Sequence, residues 1–355
     1  SNAAVQVLKE GEVQGSDVAA HSAGVLDIRT NILADTDALY LTAIDKYGHE
    51  LWRWTFPVNK LNQQTEQLSP LSSRPTYTET ENDLTVKANK RTFIFSKKDG
   101  QLKGVSVDNR KISFANGPRF IGARRADRSL DQFYNHDDEK AKEKDRTYSE
   151  FSDAAVFTKL DVKEDGGNLV VTANYKLGNL DKAQWTINPS GELALDYTYN
   201  FSGVVDLMGI RFDYPEDQVI SKRWLGAGPY RVWQNRIHGT QYDVWENDYN
   251  DPIPGETFTY PEFKGYFGDV SWMNIQTKEG TISLTNETPD AYIGVYQPRD
   301  GRDRLLYTLP ESGISVLNVI PPVRNKVNST DLCGPSSQPK WVNGPQTGRV
   351  IFRFM

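Results

Sequence analysis

Leu84-Thr85-Val86-Lys87-Ala88, followed by Thr92-Phe93-Ile94-Phe95-Ser96 and the turn pair Asp99-Gly100 leading into Gln101-Leu102, is the stretch whose reading decides the fold. Strict alternation puts Leu84, Val86 and Ala88 on one side and Thr85 and Lys87 on the other, the pattern of a half-buried β-strand. Asp-Gly between two such runs supplies the positive φ that a tight hairpin turn requires. The same grammar recurs outward along the chain. Leu169-Val170-Val171-Thr172-Ala173 and Leu193-Ala194-Leu195-Asp196-Tyr197 alternate likewise, and Asp165-Gly166-Gly167, Ser190-Gly191, Glu279-Gly280 and Asp300-Gly301 punctuate them. Helical periodicity is nearly absent; Asp137 to Lys144 reads as a solvated charge run. The expectation is an all-β protein of long antiparallel hairpins.

Between Lys60 and Pro75 Asn, Gln, Ser and Pro dominate and apolar residues thin out, so 61–75 reads as a linker. Before it, within the unit 1–60, residues 5–58 hold four strand candidates, including Leu39-Tyr40-Leu41-Thr42-Ala43 and Leu51-Trp52-Arg53-Trp54, about half of a small immunoglobulin-like sandwich. After it, residues 76–355 show no second break, which suits one large two-sheet sandwich. Ser1-Asn2-Ala3 has the form of a cloning remnant, and the expectation is a piece taken from a longer protein.

The net charge of −6, with both signs mixed along the chain, provides no basic stripe for phosphates, so nucleic acid is excluded as the expected partner. No run approaches the roughly 18 apolar residues of a membrane helix, and mean hydropathy is −0.61. Cys333 is the single cysteine and the four His are scattered, so neither a disulfide nor a metal site is expected, and no cofactor. No GxGxxG opens a helix, no GxxxxGK[ST] occurs and no GxSxG elbow is present.

Carbohydrate chemistry fares better. Between Trp224 and Trp272 the rings of Trp233, Tyr242, Trp245, Tyr249, Tyr260 and Tyr266 interleave with Arg231, Arg236, Asp243 and Glu246. Aromatic faces stack on the C–H side of a pyranose while carboxylates and guanidinium groups take its hydroxyls, so the two residue types are needed together. Arg231, Trp233, Arg236, His238, Trp245, Glu246 and Tyr249 are the candidate sugar-contacting residues, although strand alternation assigns about half of such rings to the core. No catalytic residue is assigned.

Trp224-Leu225-Gly226-Ala227-Gly228-Pro229 with the following Tyr230 to Arg236 resembles the WLGxGPxExYxDR segment of the C-terminal small-chain domain of family 2 β-galactosidases. Arg91 to Leu102 resembles that domain's opening hairpin, and Pro118 to Asp127 keeps the outline of its FxRAPxDND segment. The first sixty residues are similar to the latter half of the immunoglobulin-like domain that precedes it. The resemblance implies a galactose-mutarotase-like supersandwich lying against a catalytic (β/α)₈ barrel whose two glutamates lie upstream. The family's late-loop segment, roughly EGTWLN, reads here Glu311-Ser312-Gly313-Ile314-Ser315-Val316-Leu317-Asn318, without the Trp that contacts galactose; Trp341 is a spatial substitute or an edge-packing residue.

The expected function is therefore that of a non-catalytic portion of a glycoside hydrolase, inactive alone, which shapes the sugar cleft and stabilises the barrel. Its partners would be a galactoside or related glycan and the barrel itself, in a periplasmic or secreted setting. Two alternatives stand beside it: an independent carbohydrate-binding module, and an aldose epimerase or lyase using His238 and Glu246.

Overall fold

A computed structural model of the chain describes residues 6–15, 17–28, 36–58, 73–125, 148–151, 153–247, 265–295, 312–322 and 334–355. In chain order the strands are β1 (Ala38–Ile44) and β2 (Glu50–Pro57), then β3 (Thr76–Glu79), β4 (Asp83–Ala88), β5 (Arg91–Ser96) and β6 (Leu102–Val107). There follow β7 (Arg110–Ile112), β8 (Ala115–Arg125), β9 (Tyr148–Glu150), β10 (Val156–Asp165), β11 (Asn168–Lys176), β12 (Leu180–Ile187) and β13 (Leu193–Val205). The last are β14 (Leu207–Asp213), β15 (Val219–Gly228), β16 (Gln241–Asn247), β17 (Trp272–Thr277), β18 (Gly280–Asn286), β19 (Tyr292–Gly294), β20 (Ile314–Val319) and β21 (Lys340–Phe354). Helical turns among the described residues are confined to Glu216–Gln218 and Pro335–Ser337, and none is long and apolar enough to cross a membrane.

The fold is all-β, as the alternation predicts. A nine-stranded sheet has the order β10-β11-β12-β13-β21-β18-β17-β15-β16, and a ten-stranded sheet the order β19-β20-β14-β8-β6-β5-β4-β3, with β7 beside β6 and β9 beside β8. Every ladder between these strands is antiparallel. Leu84, Val86 and Ala88 of β4 are buried together with Phe93 and Phe95 of β5, and all five belong to one core. The opposite sheet meets them ring to ring: Phe95 lies 5.9 Å from Trp185 of β12, and Phe93 lies 6.3 Å from Phe354 of β21. Phe114, between β7 and β8, stacks on Phe212 of β14 at 4.6 Å and touches Phe352 at 5.0 Å. These stacked and tilted pairs each contribute about 0.5–1.5 kcal/mol beyond the area they bury. Two large antiparallel sheets sharing one aromatic core make the supersandwich that the sequence leads one to expect.

Arg91 is buried in this apolar setting, yet its Nε donates to the carbonyl of Phe354 at 2.9 Å and its Nη1 to that of Ser190 at 3.0 Å. A guanidinium inside a core is tolerable only when its donors are taken, and here they tie β5 to the opposite sheet. The chain's last strand, β21, lies in the middle of the nine-stranded sheet, paired with β13 from Leu193↔Phe352 to Val205↔Lys340 and with β18 on its other side.

Of the four strands expected within residues 5–58, the described residues form two. β1 and β2 pair as a separate hairpin, while 6–15 and 17–28 carry no strand and are almost wholly exposed. Polar runs such as Lys9-Glu10-Gly11-Glu12 offer no apolar face to bury, so alternation there lacks the force that would fix a strand. The linker reading of 61–75 falls almost entirely on residues outside those described, as do the charge run 137–144, Tyr249, Glu311 and Cys333.

Candidate functional site

The segment Trp224 to Pro229 forms the end of β15, and its residue types follow from what it touches. The Trp224 ring meets Phe267 edge-on at 4.9 Å and its Nε1 donates to the Ala227 carbonyl at 3.0 Å. A Cβ on Gly226 would stand 3.0 Å from the carbonyl oxygen of Gly268, and one on Gly228 only 2.4 Å from the ring of Trp245. Both glycines are there because neighbouring chain and ring occupy the space of a side chain. Trp245 lies directly opposite Trp224 in the β15–β16 ladder, is 5% exposed, and donates from Nε1 to the Gln241 carbonyl at 3.0 Å.

Trp233 is equally enclosed, edge-on to Tyr266 at 5.6 Å, with Val232 and Tyr266 exchanging backbone hydrogen bonds of 2.8 Å. Arg231 lies over the Phe267 ring, 5.0 Å from its centroid. Both tryptophan rings are therefore packed within the protein, whereas Arg236 and His238 are exposed on the turn before β16. Glu246 stands opposite Arg223 near the far end of β16. The five steps from Gln241 to Glu246 span ~17 Å of strand, so His238 and Glu246 flank opposite ends of it.

The turn is held from outside. Gln234 Nε2 donates to the Gln338 carbonyl at 2.7 Å, and Asn235 Nδ2 to Ser337 Oγ at 3.2 Å. Three residues beyond Gln338, Trp341, the second residue of β21, is 70% exposed, and Tyr230 is 71% exposed. The hairpin β1–β2 docks beside this edge. Tyr40 Oη donates to Asp243 Oδ1, a carboxylate that is 4% exposed and also accepts from the Val244 amide at 2.7 Å. Burial first, then that hydrogen bond, holds the Tyr40 phenol well above its usual range, and burial raises Asp37 against the pull of Arg223.

A second place, which the sequence reading does not single out, has the shape of a binding site. At one end of the sandwich, where the two sheets part, a cleft of about 530 Å³ is lined by the β5–β6 turn, β8, β9, β14 and the nearer ends of β10, β11 and β12. Arg119 of β8 and Arg211 of β14 face each other across the ladder. Like charges directly opposite are destabilising, and two carboxylates offset this: Asp213 pairs with Arg119, and Glu150 lies 2.7 Å from Arg211. Phe151, Phe157 and Tyr175 form an aromatic wall, with Phe157 and Tyr175 edge-on at 6.0 Å. Gly100, at φ +74°, lets the β5–β6 turn come down on Phe157, because a Cβ there would stand 2.7 Å from that ring. Burial, then the nearby Asp99 and Asp153 carboxylates, pushes the Tyr175 phenol upward. Burial also lowers Arg211, against the opposing charge of Glu150. Among the described residues no group of three His, Cys, Asp or Glu could hold a metal ion.

Comparison with known proteins places this geometry in a family. A model described as beta galactosidase small chain matches residues 87–321, more than half of the chain. No curated protein matches it. Among solved structures, galactose 1-epimerase from Lactobacillus acidophilus NCFM is similar with a TM-score of 0.45 at 9% identity, over 80% of this chain and 99% of that one. The GalM/aldose epimerase homologue from C. elegans gives 0.39 at 8% identity, over 79% and 99%. With its family model spanning β5 to the end of β20, the chain belongs to the beta galactosidase small chain family.

Proposed function

We propose that the chain is the non-catalytic C-terminal portion of a β-galactosidase-like hydrolase of family 2 type, completing the sugar cleft and bracing the catalytic barrel. In this reading residues 1–60 are the closing part of an immunoglobulin-like domain, 61–75 its linker and 76–355 the small-chain domain. The partners are a galactoside or related glycan and the barrel, in a periplasmic or secreted enzyme.

One observation carries the reading. Trp52, Trp54 and Phe56 share a face of β2, and their cross-strand partners Ala43, Leu41 and Leu39 share that face on β1. The three rings are 54%, 44% and 47% exposed, while Tyr40 on the other face anchors the hairpin to Asp243. A two-stranded hairpin is at best marginally stable alone, and a contiguous aromatic face left open marks a surface that further protein covers. The occupant proposed is the remainder of the same enzyme.

The test is complementation. Alone, the chain is expected to leave a nitrophenyl galactoside intact; added to the portion carrying the barrel, it is expected to raise hydrolysis, and Trp52→Ser with Trp54→Ser to abolish that gain. Hydrolysis by the isolated chain at an enzyme-like rate would overturn the proposal.

The independent binding-module reading is favoured by a different observation, the cleft at the end of the sandwich, whose lining mixes hydrogen-bonding groups and rings in one concavity.

A further inference from the structure

The end cleft holds three cationic side chains, Lys98, Arg119 and Arg211, and three anionic ones, Asp99, Glu150 and Asp153. A lining balanced in this way presents no net charge to recruit an ion, yet it offers donors and acceptors at close quarters. Much of that capacity is fixed before any ligand arrives. Asp153 Oδ1 accepts from the amides of Ala155 at 3.1 Å and Asn179 at 2.9 Å, and Asp99 Oδ1 accepts from the amide of Gln101 at 3.1 Å. In both carboxylates the second oxygen is not used by these backbone bonds. Tyr175 Oη is buried with no hydrogen-bond partner, in a wall to which Phe151 and Phe157 supply apolar surface. A buried hydroxyl left unpaired is unfavourable, and a small rotation of the phenol toward the cleft that its ring lines would bring it to a ligand hydroxyl. At about 530 Å³ the cleft falls within the range of small-molecule sites, roughly 300–1,000 Å³.

We propose that this cleft is a carbohydrate-binding site of the chain itself, taking a neutral pyranoside. Carboxylates accept from sugar hydroxyls, the guanidinium groups donate to hydroxyl oxygens, and the rings of Phe151, Phe157 and Tyr175 lie against the C–H surface. An anionic sugar is disfavoured relative to a neutral one, because Arg119 and Arg211 already pair with Asp213 and Glu150, leaving Lys98 alone against Asp99 and Asp153. The site does not depend on docking to a catalytic barrel, so its test and the complementation test fail separately.

Calorimetry and saturation-transfer NMR on the full chain, with methyl β-galactopyranoside, lactose and cellobiose as neutral probes and galacturonate as the charged one, decide the matter. At least one neutral probe is expected to bind, and galacturonate more weakly. Tyr175→Phe, which removes one hydroxyl and keeps the ring, is expected to weaken binding about three- to ten-fold, the worth of one hydrogen bond. Asp99→Asn is expected to weaken it with an unchanged melting curve, and Trp341→Ala, on the other surface, to leave it intact. The inference is overturned if no neutral probe binds, if galacturonate binds as well as the best of them, or if binding survives both cleft variants and is lost in Trp341→Ala.

Discussion

Tyr40→Phe isolates the bond that holds the hairpin to the body of the protein. The substitution keeps the ring, and with it the Arg53 guanidinium 5.8 Å from the ring centroid, and removes only the hydroxyl that donates to Asp243. A hydrogen bond to a charged partner contributes about 1.5–3 kcal/mol. Asp243 is 4% exposed, so water cannot readily replace the lost donor; its other partner, the Val244 amide at 2.7 Å, still satisfies part of the carboxylate. The lower half of that range is therefore expected, a rise on the order of ten-fold in the equilibrium for hairpin opening. Because the hairpin forms a sheet of its own, the effect should appear locally and not in global unfolding.

Hydrogen exchange followed by mass spectrometry reads this directly. Peptides within 38–57 should exchange about ten-fold faster in Tyr40→Phe, while peptides covering β4 to β6 should not change. A double-mutant cycle with Asp243→Asn should show coupling of about 1 kcal/mol or more, since each single change removes the charge-assisted character of the same bond. Less than a two-fold change within 38–57, or equal acceleration in the core strands, would refute the assignment of Tyr40 as the anchor.

Two further expectations concern the sandwich. Gly228→Ala puts a Cβ 2.4 Å from the Trp245 ring and should destabilise by about 1–3 kcal/mol, whereas Gly104→Ala meets nothing within 4 Å and should leave the denaturation midpoint within error. At alkaline pH the buried tyrosines decide stability. Burial holds Tyr175, Tyr214 and Tyr266 above the ordinary 10.0 and pushes Tyr197 up to about 12. Above pH 10 the unfolded chain releases protons that the native chain keeps, so stability is intact below that point and falls as pH rises through the native values. Tyrosinate absorbance should rise in two phases, the second coinciding with loss of the β-sheet circular dichroism. A single phase near 10 with the sheet signal unchanged would contradict it.

Local features of the fold are legible because local physics sets them. Leu84, Val86, Ala88, Phe93 and Phe95 are inside, as period two requires, and Asp99-Gly100 turns with Gly100 at φ +74°. Which strands become neighbours is not legible, because β21 enters between β13 and β18 through pairings as distant as Leu193↔Phe352. Aromatic density also misleads by its nature. Trp233 and Trp245 attract notice as sugar platforms, but alternation puts half of all strand rings inward, and these two are packed against Tyr266 and over Gly228. The Trp224–Pro229 segment, the strongest resemblance in the sequence, is a packing device whose glycines make room for Gly268 and Trp245.

The cleft escaped the sequence for a related reason, and the reason bears on what it does. Glu150 to Phe157 supplies five of its lining residues, but the rest come from the β5–β6 turn, β8, β11, β12 and β14, spread from Lys98 to Arg211, so no window of sequence contains the whole. A sandwich end with no function could be closed by apolar side chains at little cost. Here Arg119 and Arg211 face each other in neighbouring strands, an unfavourable pairing that requires Asp213 and Glu150 to offset it. Beside them an unpaired tyrosine hydroxyl is buried. A like-charge pair and an unsatisfied phenol gathered around one concavity are the kind of local conflict that a binding site accounts for.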